Sequence, residues 1–325
     1  MQTLVAMGIR DSHNPTTGGN CGFSSSICST REPGKQREVY CMRNDTQLPG
    51  RFICSDSDSR RTDEDRDVHD CYENLGFVYD YYKDVHGRNS IDNTNGKLIG
   101  SVHYRGLDLA FWDQQLVFCD SSSPLYGHSV RCLDIVGHEF THGVIHSTAR
   151  LDYKGQSGAL NESIADVFGS LVKQYAEDKK SKDADWLIGG DCFLPDIKGA
   201  GLRSMKTAYK DVRVGADPQP DSMNDYVVWP ETKEKDWGGV HINSGIPNRA
   251  FYLVATGLAD ASLEEYAWKM AGPIWYDSIH KNRNCGCSFK EFAIITCEVA
   301  SQLKDTKELK DVGARAERVV KTAQR

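Results

Sequence analysis

An α+β protein in two lobes is what the sequence predicts, and three observations carry that prediction. Strand-like segments fill the first third, helical periodicity fills the last third, and a Gly/Pro-rich stretch (189–240) lies between them. At 325 residues the chain can bury a sizeable core as one large domain or two ordinary ones. Its 39% hydrophobic and 26% charged residues describe a soluble globular protein, and no apolar run approaches the ~18 residues of a membrane helix. The net charge of −7 argues against a nucleic-acid surface, which would need basic clusters. Neither nucleic acid nor membrane is therefore an expected partner.

Residues 1–36, rich in Gly, Ser, Thr, Asn and Pro, carry no periodicity and read as a flexible extension, a candidate remnant of a prosegment. Strands are expected at Glu38–Met42 and, after the turn at Pro49-Gly50, at Arg51–Cys54. The charged run from Asp56 to Asp67 reads as a solvated loop. Apolar residues then recur at helical spacing from Val68 to His86, with Gly87 as the stop. Lys97–Tyr104 and Leu107–Phe118 alternate as strands do. A helix is expected from Val130 or Arg131 to about His146, and another from Gly158 to about Tyr175. The remaining periodic segments are Ile246–Leu258, Leu263–Ile279, Phe289–Leu303 and Lys307–Thr322, all helical. The basic tail from Lys304 also carries Asp305, Glu308, Asp311 and Glu317, which makes it a solvated face. The expected organisation is 1–36 extension, 37–147 β-rich lobe and 148–325 mainly helical lobe.

Eleven cysteines suggest some disulfides and an oxidising compartment, and the odd count leaves at least one thiol. Cys285-Gly-Cys287 lacks a second close pair, so a structural zinc there is not expected. The first ten residues do not read as a signal peptide, having a short apolar run with no basic region before it. Asn44-Asp-Thr46 is the accessible glycosylation sequon.

Chemistry concentrates in Asp134-Ile-Val-Gly-His138-Glu139-Phe-Thr-His142-Gly143. On a helix His138 and His142 share one face, one turn apart, so two neutral imidazoles can hold a Zn²⁺. Glu139 beside them can take a proton from an activated water. The next helical carboxylate, Glu162 in Gly158-Ala-Leu-Asn-Glu162-Ser-Ile-Ala-Asp166, would complete three ligands and leave the fourth position for water. Asp166, one turn further on, can accept the second ring N–H of a ligand His. A three-His site is excluded because Ile145 and Thr148 stand where it needs Gly and His.

With these residues the chain resembles the thermolysin family of zinc metalloproteases, and its wording is nearest the protealysin-like branch. HEFTHGV, SGALNESIADVFG and GGVHINSGIPN carry the resemblance, with DYYKDVHGRNSID and LRSM, over roughly residues 37–325. It implies a β-rich N-terminal lobe bearing the HExxH helix, an all-helical C-terminal lobe and a cleft between them. His138, His142 and Glu162 are then the zinc ligands, and Glu139 the general base that later protonates the leaving amine. Tyr153 and His241 stabilise the oxyanion, Asp236 orients His241, and Arg203 holds the substrate carbonyl. Ala110 offers its backbone carbonyl to substrate, while Ile135, Ile188, Cys192 and Leu202 line a pocket for large apolar side chains. The family also implies polypeptide substrates, a monomer and secretion.

Two departures qualify the resemblance. Where calcium-dependent members carry a carboxylate the chain has Lys173, and two more acidic positions are Leu187 and Gly190. With Asp134 and Asp185 alone no double calcium site can form, and Lys173 can place an ammonium there; calcium elsewhere stays open. The edge-strand Asn is replaced by Leu109, before Ala110-Phe111-Trp112, which removes a substrate hydrogen bond worth about 1–3 kcal/mol. The expected activity is zinc-dependent endopeptidase cleavage on the amino side of large hydrophobic residues. The competing reading is a catalytically weak binding protein on a peptidase fold. An HExxH aminopeptidase lacks an acidic pair to hold a free amine.

Overall fold

The computed structural model describes residues 34–58, 65–106, 109–121, 123, 125, 127–194, 196–197, 201–207, 219–261 and 264–302. Nearly all of the expected N-terminal extension and the expected helix at Lys307–Thr322 lie outside the described residues.

Five strands form the first sheet: β1 (Arg37–Asp45), β2 (Arg51–Ser55), β3 (Leu98–Tyr104), β4 (Ala110–Trp112) and β5 (Leu116–Cys119), in the order β2-β1-β3-β5-β4. β1, β3 and β5 run parallel; β2 and β4 close the two edges antiparallel. Helix α1 (Arg66–His86) makes the crossover to β3. Asp65 caps it, accepting from the Asp67 N–H at 3.0 Å and the Val68 N–H at 3.4 Å, and Gly87 ends it at φ 64°. The helix lies close on the sheet because β3 offers Gly100, where a Cβ would fall 2.4 Å from Cys71 Sγ.

The stretch expected as one strand, Leu107–Phe118, is instead a tight hairpin, β4 and β5. It reverses at Asp113–Gln115, with Gln114 at φ 54° and the Asp113 N–H donating to the Gln115 carbonyl at 2.9 Å. No Gly or Pro marks that turn, so its composition hides it. The hairpin leaves β4 as the sheet edge.

Helix α2 (Leu133–Ser147) follows a 3₁₀ turn at Ser129–Arg131, and α3 (Gly155–Ala176) packs against it. The two backbones touch at glycines: a Cβ on Gly169 would lie 2.3 Å from the Asp134 carbonyl, and one on Gly137 3.1 Å from Gly169 Cα. That approach decides how near α3 carboxylates come to α2 imidazoles. Tyr82 of α1 stacks on both helices, with centroids 5.0 Å from Phe140 and 5.7 Å from Phe168.

The second half carries α4 (Asp236–Asn243), α5 (Gly245–Asp260), α6 (Ala271–Lys281) and α7 (Phe289–Gln302). It is not wholly helical, since β6 (Leu187–Ile188) and β7 (Arg203–Ser204) pair as a small antiparallel ribbon. The helix expected from Leu263 begins only at Ala271. A 3₁₀ turn at Ala267–Lys269 precedes it, Met270 breaks the path at φ −133°, and Pro273 occupies the first helical turn, where its missing N–H leaves no acceptor unsatisfied. A disulfide joins Cys132, at the start of α2, to Cys192, just beyond β6, with a Cα–Cα distance of 5.7 Å.

Candidate active site

The cleft, with an open volume of about 350 Å³, runs between the β4 edge and helix α2. Leu109, Ala110, Ile135, His138, Glu139, Glu162, Leu202, Arg203 and His241 line it. At its floor the Nε2 atoms of His138 and His142 face each other at 3.0 Å. Their other nitrogens are already committed. His138 Nδ1–H donates to Asp166 Oδ1 at 2.9 Å, and His142 Nδ1–H donates to Asn161 Oδ1 at 2.9 Å. Both Nε2 atoms are therefore lone-pair acceptors pointed at one spot. Glu162 adds its carboxylate, 3.5 Å from each Nε2, and its Oε2 is a buried acceptor without a hydrogen-bond donor among the described residues. Three acceptors converging with no donor between them are repulsive unless a cation sits there. The donor set, two imidazoles and a carboxylate, is that of catalytic zinc, and the three side chains fit it.

Around this centre Asp166 does more than hold one imidazole. Arg203 grips it with Nε to Oδ2 at 2.8 Å and Nη2 to Oδ1 at 2.7 Å, and Asn248 Nδ2 donates to Oδ2 at 2.9 Å. Burial alone would raise the Asp166 pKa, but Arg203 and His138 outweigh it and hold the carboxyl well below the usual range. Glu139, also buried, is pushed the other way, up to about 7, by burial and the nearby Glu162 charge. Its Oε2 is a second buried acceptor without a hydrogen-bond donor among the described residues.

The segment bearing His241 is bent to make its own charge partner. Asp236, Trp237, Gly238 and Gly239 all sit at positive φ (51°, 49°, 94° and 77°), which two glycines make affordable and two bulkier residues do not. The bend turns the Asp236 carboxylate back onto His241, with Oδ1 2.5 Å from Nδ1 and Oδ2 accepting from the backbone N–H at 2.9 Å. Burial disfavours the imidazolium, but Glu162 and Asp236 overcome it and raise the His241 pKa to about 9. Its Nε2 lies 3.2 Å from the Tyr153 hydroxyl, which donates to Glu162 Oε1 at 2.5 Å.

The cleft thus gathers most residues singled out from sequence: the His pair, Glu139, Glu162, Arg203, His241, Ala110, Ile135 and Leu202, with Tyr153 hydrogen-bonded at its floor and Asp166 and Asp236 behind. Two do not line it. Cys192 is tied up in the disulfide to Cys132, and Ile188 is fully buried in the core. Two supporting residues had escaped the sequence reading. Asn161 adjoins Glu162 in the chain, and its side-chain carbonyl is the acceptor for His142 Nδ1. Asn248 is buried on α5, and no local motif signals its reach to Asp166.

This fold, with an HExxH helix whose His138 and His142 sit beside Glu162 in a group able to hold a metal ion, defines a metallopeptidase of the HExxH type. Residues 17–146 match the family model described as thermolysin metallopeptidase, catalytic domain, and residues 149–320 match thermolysin metallopeptidase, alpha-helical domain. The chain belongs to the thermolysin metallopeptidase family; it is a zinc metalloendopeptidase, and its substrates are polypeptides. It is 42% identical over 275 residues to protease PrtS of Photorhabdus sp. (strain Az29), covering 83% of this chain and 72% of that one. It is 43% identical over 273 residues to an extracellular metalloprotease of Pectobacterium carotovorum subsp. carotovorum, covering 82% and 75%. Among solved structures it is similar to the precursor of protealysin, a metalloproteinase from Serratia proteamaculans, with TM-score 0.77 and 41% identity over 92% of this chain and 90% of that one. Among the described residues no helix is long and apolar enough to cross a membrane.

Proposed function

We propose that the chain cleaves peptide bonds on the amino side of large hydrophobic residues, with His138, His142 and Glu162 as the zinc ligands. The observation that carries this reading is the pair of Nε2 lone pairs facing one carboxylate, with every Nδ1 already spoken for. Bound there, zinc supplies a Lewis acid that makes water nucleophilic near neutral pH. Glu139, with its carboxyl near pH 7, takes the water proton and delivers it to the leaving amine. The His241 imidazolium and the Tyr153 hydroxyl donate to the oxygen that gains charge, each donor contributing roughly 3–4 kcal/mol. Asp236 keeps His241 protonated and turned inward. Substrate adds as a further strand along the free edge of β4, with the Ala110 carbonyl accepting from its backbone and Arg203 at the carbonyl beyond the scissile bond. Ile135 and Leu202 present apolar walls to the side chain that follows the cut.

Lys173 takes the place of the calcium pair in this reading. Its ammonium lies 2.9 Å from Asp191 and 3.2 Å from Asp185, and feels the buried Asp134 charge. The working lobes divide at 147/148, in keeping with the two matched segments. Action outside the cell is supported by relatives named extracellular metalloproteases and by the Cys132–Cys192 disulfide.

The test is casein hydrolysis by the purified chain and by Glu139→Ala, each with and without 1,10-phenanthroline. Hydrolysis should appear only in the untreated parent chain. Activity that survives both the chelator and the substitution refutes the mechanism; no activity in any sample favours a binding protein.

A further inference from the structure

A second gathering of metal-type donors lies outside the cleft. Asp67, His103, Asp120 and His128 each bring one ligand atom within 4.8 Å of all the others. They come from four segments: the first turn of α1, the end of β3, the residue after β5, and the residue before the 3₁₀ turn that leads into α2. His103 Nδ1 is 2.7 Å from Asp120 Oδ1, and His128 Nδ1 is 3.7 Å from the same oxygen and abuts Asp67 Oδ2. His128 Nδ1 is buried, and among the described residues no contact there has hydrogen-bond geometry. Asp67 itself is 3% exposed, and Arg131 holds its Oδ1 at 2.6 Å, leaving Oδ2 for the cluster.

We propose that Asp67, His103, Asp120 and His128 form a structural zinc-type site that pins the approach to the HExxH helix. Two imidazoles and two carboxylates are a zinc donor set, and tetrahedral bonds of about 2.0–2.1 Å set the donors roughly 3.3 Å apart. The 2.7 and 3.7 Å separations at Asp120 bracket that value. The far nitrogen of His103, Nε2, lies 3.0 Å from Asp65 Oδ2, the carboxylate–histidine arrangement that orients a metal-bound imidazole. Charge agrees as well. The carboxylates of Asp65, Asp67 and Asp120 all contact these two imidazoles, an acidic surrounding that suits a dication. The site draws on no residue of the catalytic centre, so it stands or falls independently of the cleft.

The full-length chain, stripped with 1,10-phenanthroline and reloaded with ZnCl₂, is analysed for zinc per chain by mass spectrometry after gel filtration. Two zincs are expected in the parent chain, one in His142→Ala and one in His128→Ala, with casein hydrolysis retained in His128→Ala. The melting temperature of His142→Ala should rise by several degrees with ZnCl₂, and that rise should vanish on adding His128→Ala or Asp120→Asn. One zinc in the parent chain overturns the proposal and leaves the cluster as imidazolium–carboxylate pairs. Two zincs persisting in His128→Ala also overturn it, placing the second ion elsewhere, for instance on cysteine. Should His142→Ala fail to fold, the counts for the parent chain and His128→Ala decide alone.

Discussion

Arg203 closes a two-point pair on Asp166, with Nε 2.8 Å from Oδ2 and Nη2 2.7 Å from Oδ1, and both side chains are shut off from water. The guanidinium therefore lines the cleft and also holds the carboxylate whose Oδ1 accepts from His138. Asp166→Asn should weaken zinc binding by about 10–100-fold through loss of imidazole orientation. It should also cost about 3–5 kcal/mol of stability, since it strands a buried guanidinium. Zinc competition against a chromogenic chelator and urea unfolding measure the two effects. An unchanged zinc affinity would remove Asp166 from the centre.

Leu109 lines the cleft, is 8% exposed, and keeps its backbone carbonyl engaged by Ser129 Oγ at 2.6 Å. Its position is thus fixed by backbone bonds that an asparagine would keep. Leu109→Asn should raise kcat/KM on a peptide substrate by about 5–150-fold, the equivalent of the ~1–3 kcal/mol hydrogen bond it restores. A flat or lower kcat/KM would show that the position no longer meets substrate.

In the proposed reading the Lys173 ammonium, 7% exposed and paired with Asp185 and Asp191, stands where a dissociable cation would otherwise sit. Burial would lower its pKa, but Asp134, Asp185 and Asp191 outweigh that and raise it, so the charge persists at all working pH values. EGTA should leave the melting temperature unchanged. Lys173→Met should lower stability by about 1–3 kcal/mol, the lower end reflecting how exposed Asp185 and Asp191 are. A melting temperature that falls with EGTA and recovers with Ca²⁺ would contradict the substitution of lysine for calcium.

His86 is stacked on Tyr276 at 4.2 Å between centroids, and burial, with His280 and Arg88 nearby, lowers its pKa to about 3. Protonation is thus easier in the unfolded chain, near pH 6.5, than in the folded one. The stability contributed by neutral His86 is complete above pH 6.5 and is lost as pH falls toward about 3, at roughly 1.4 kcal/mol per pH unit. His86→Phe keeps the ring and removes the titration. Urea midpoints between pH 6.5 and 4 should fall less steeply in that variant; parallel slopes would rule His86 out.

The sequence by itself determined the chemistry. Spacing of four on a helix puts His138 and His142 on one face whatever the rest of the chain does, and Gly87 ends α1 by a local rule, whereas the Asp65 cap lay inside what reads as a solvated loop. The helices at α2, α3, α5 and α7 were legible to within a few residues because their apolar period is long and uninterrupted. Short features were not. The β4–β5 reversal carries no Gly or Pro, and the break at Met270 comes before the first breakers, Gly272 and Pro273. Only tertiary structure decided which donors satisfy which acceptors. Asn248 reaches Asp166 across the fold, Cys192 bonds to Cys132 instead of facing the cleft, and Asp191 joins Lys173. Such pairings are set by how closely α2 and α3 approach at Gly137 and Gly169 and by where loops return. Helical periodicity is a one-dimensional signal, whereas hydrogen-bond satisfaction depends on distances between residues far apart in sequence.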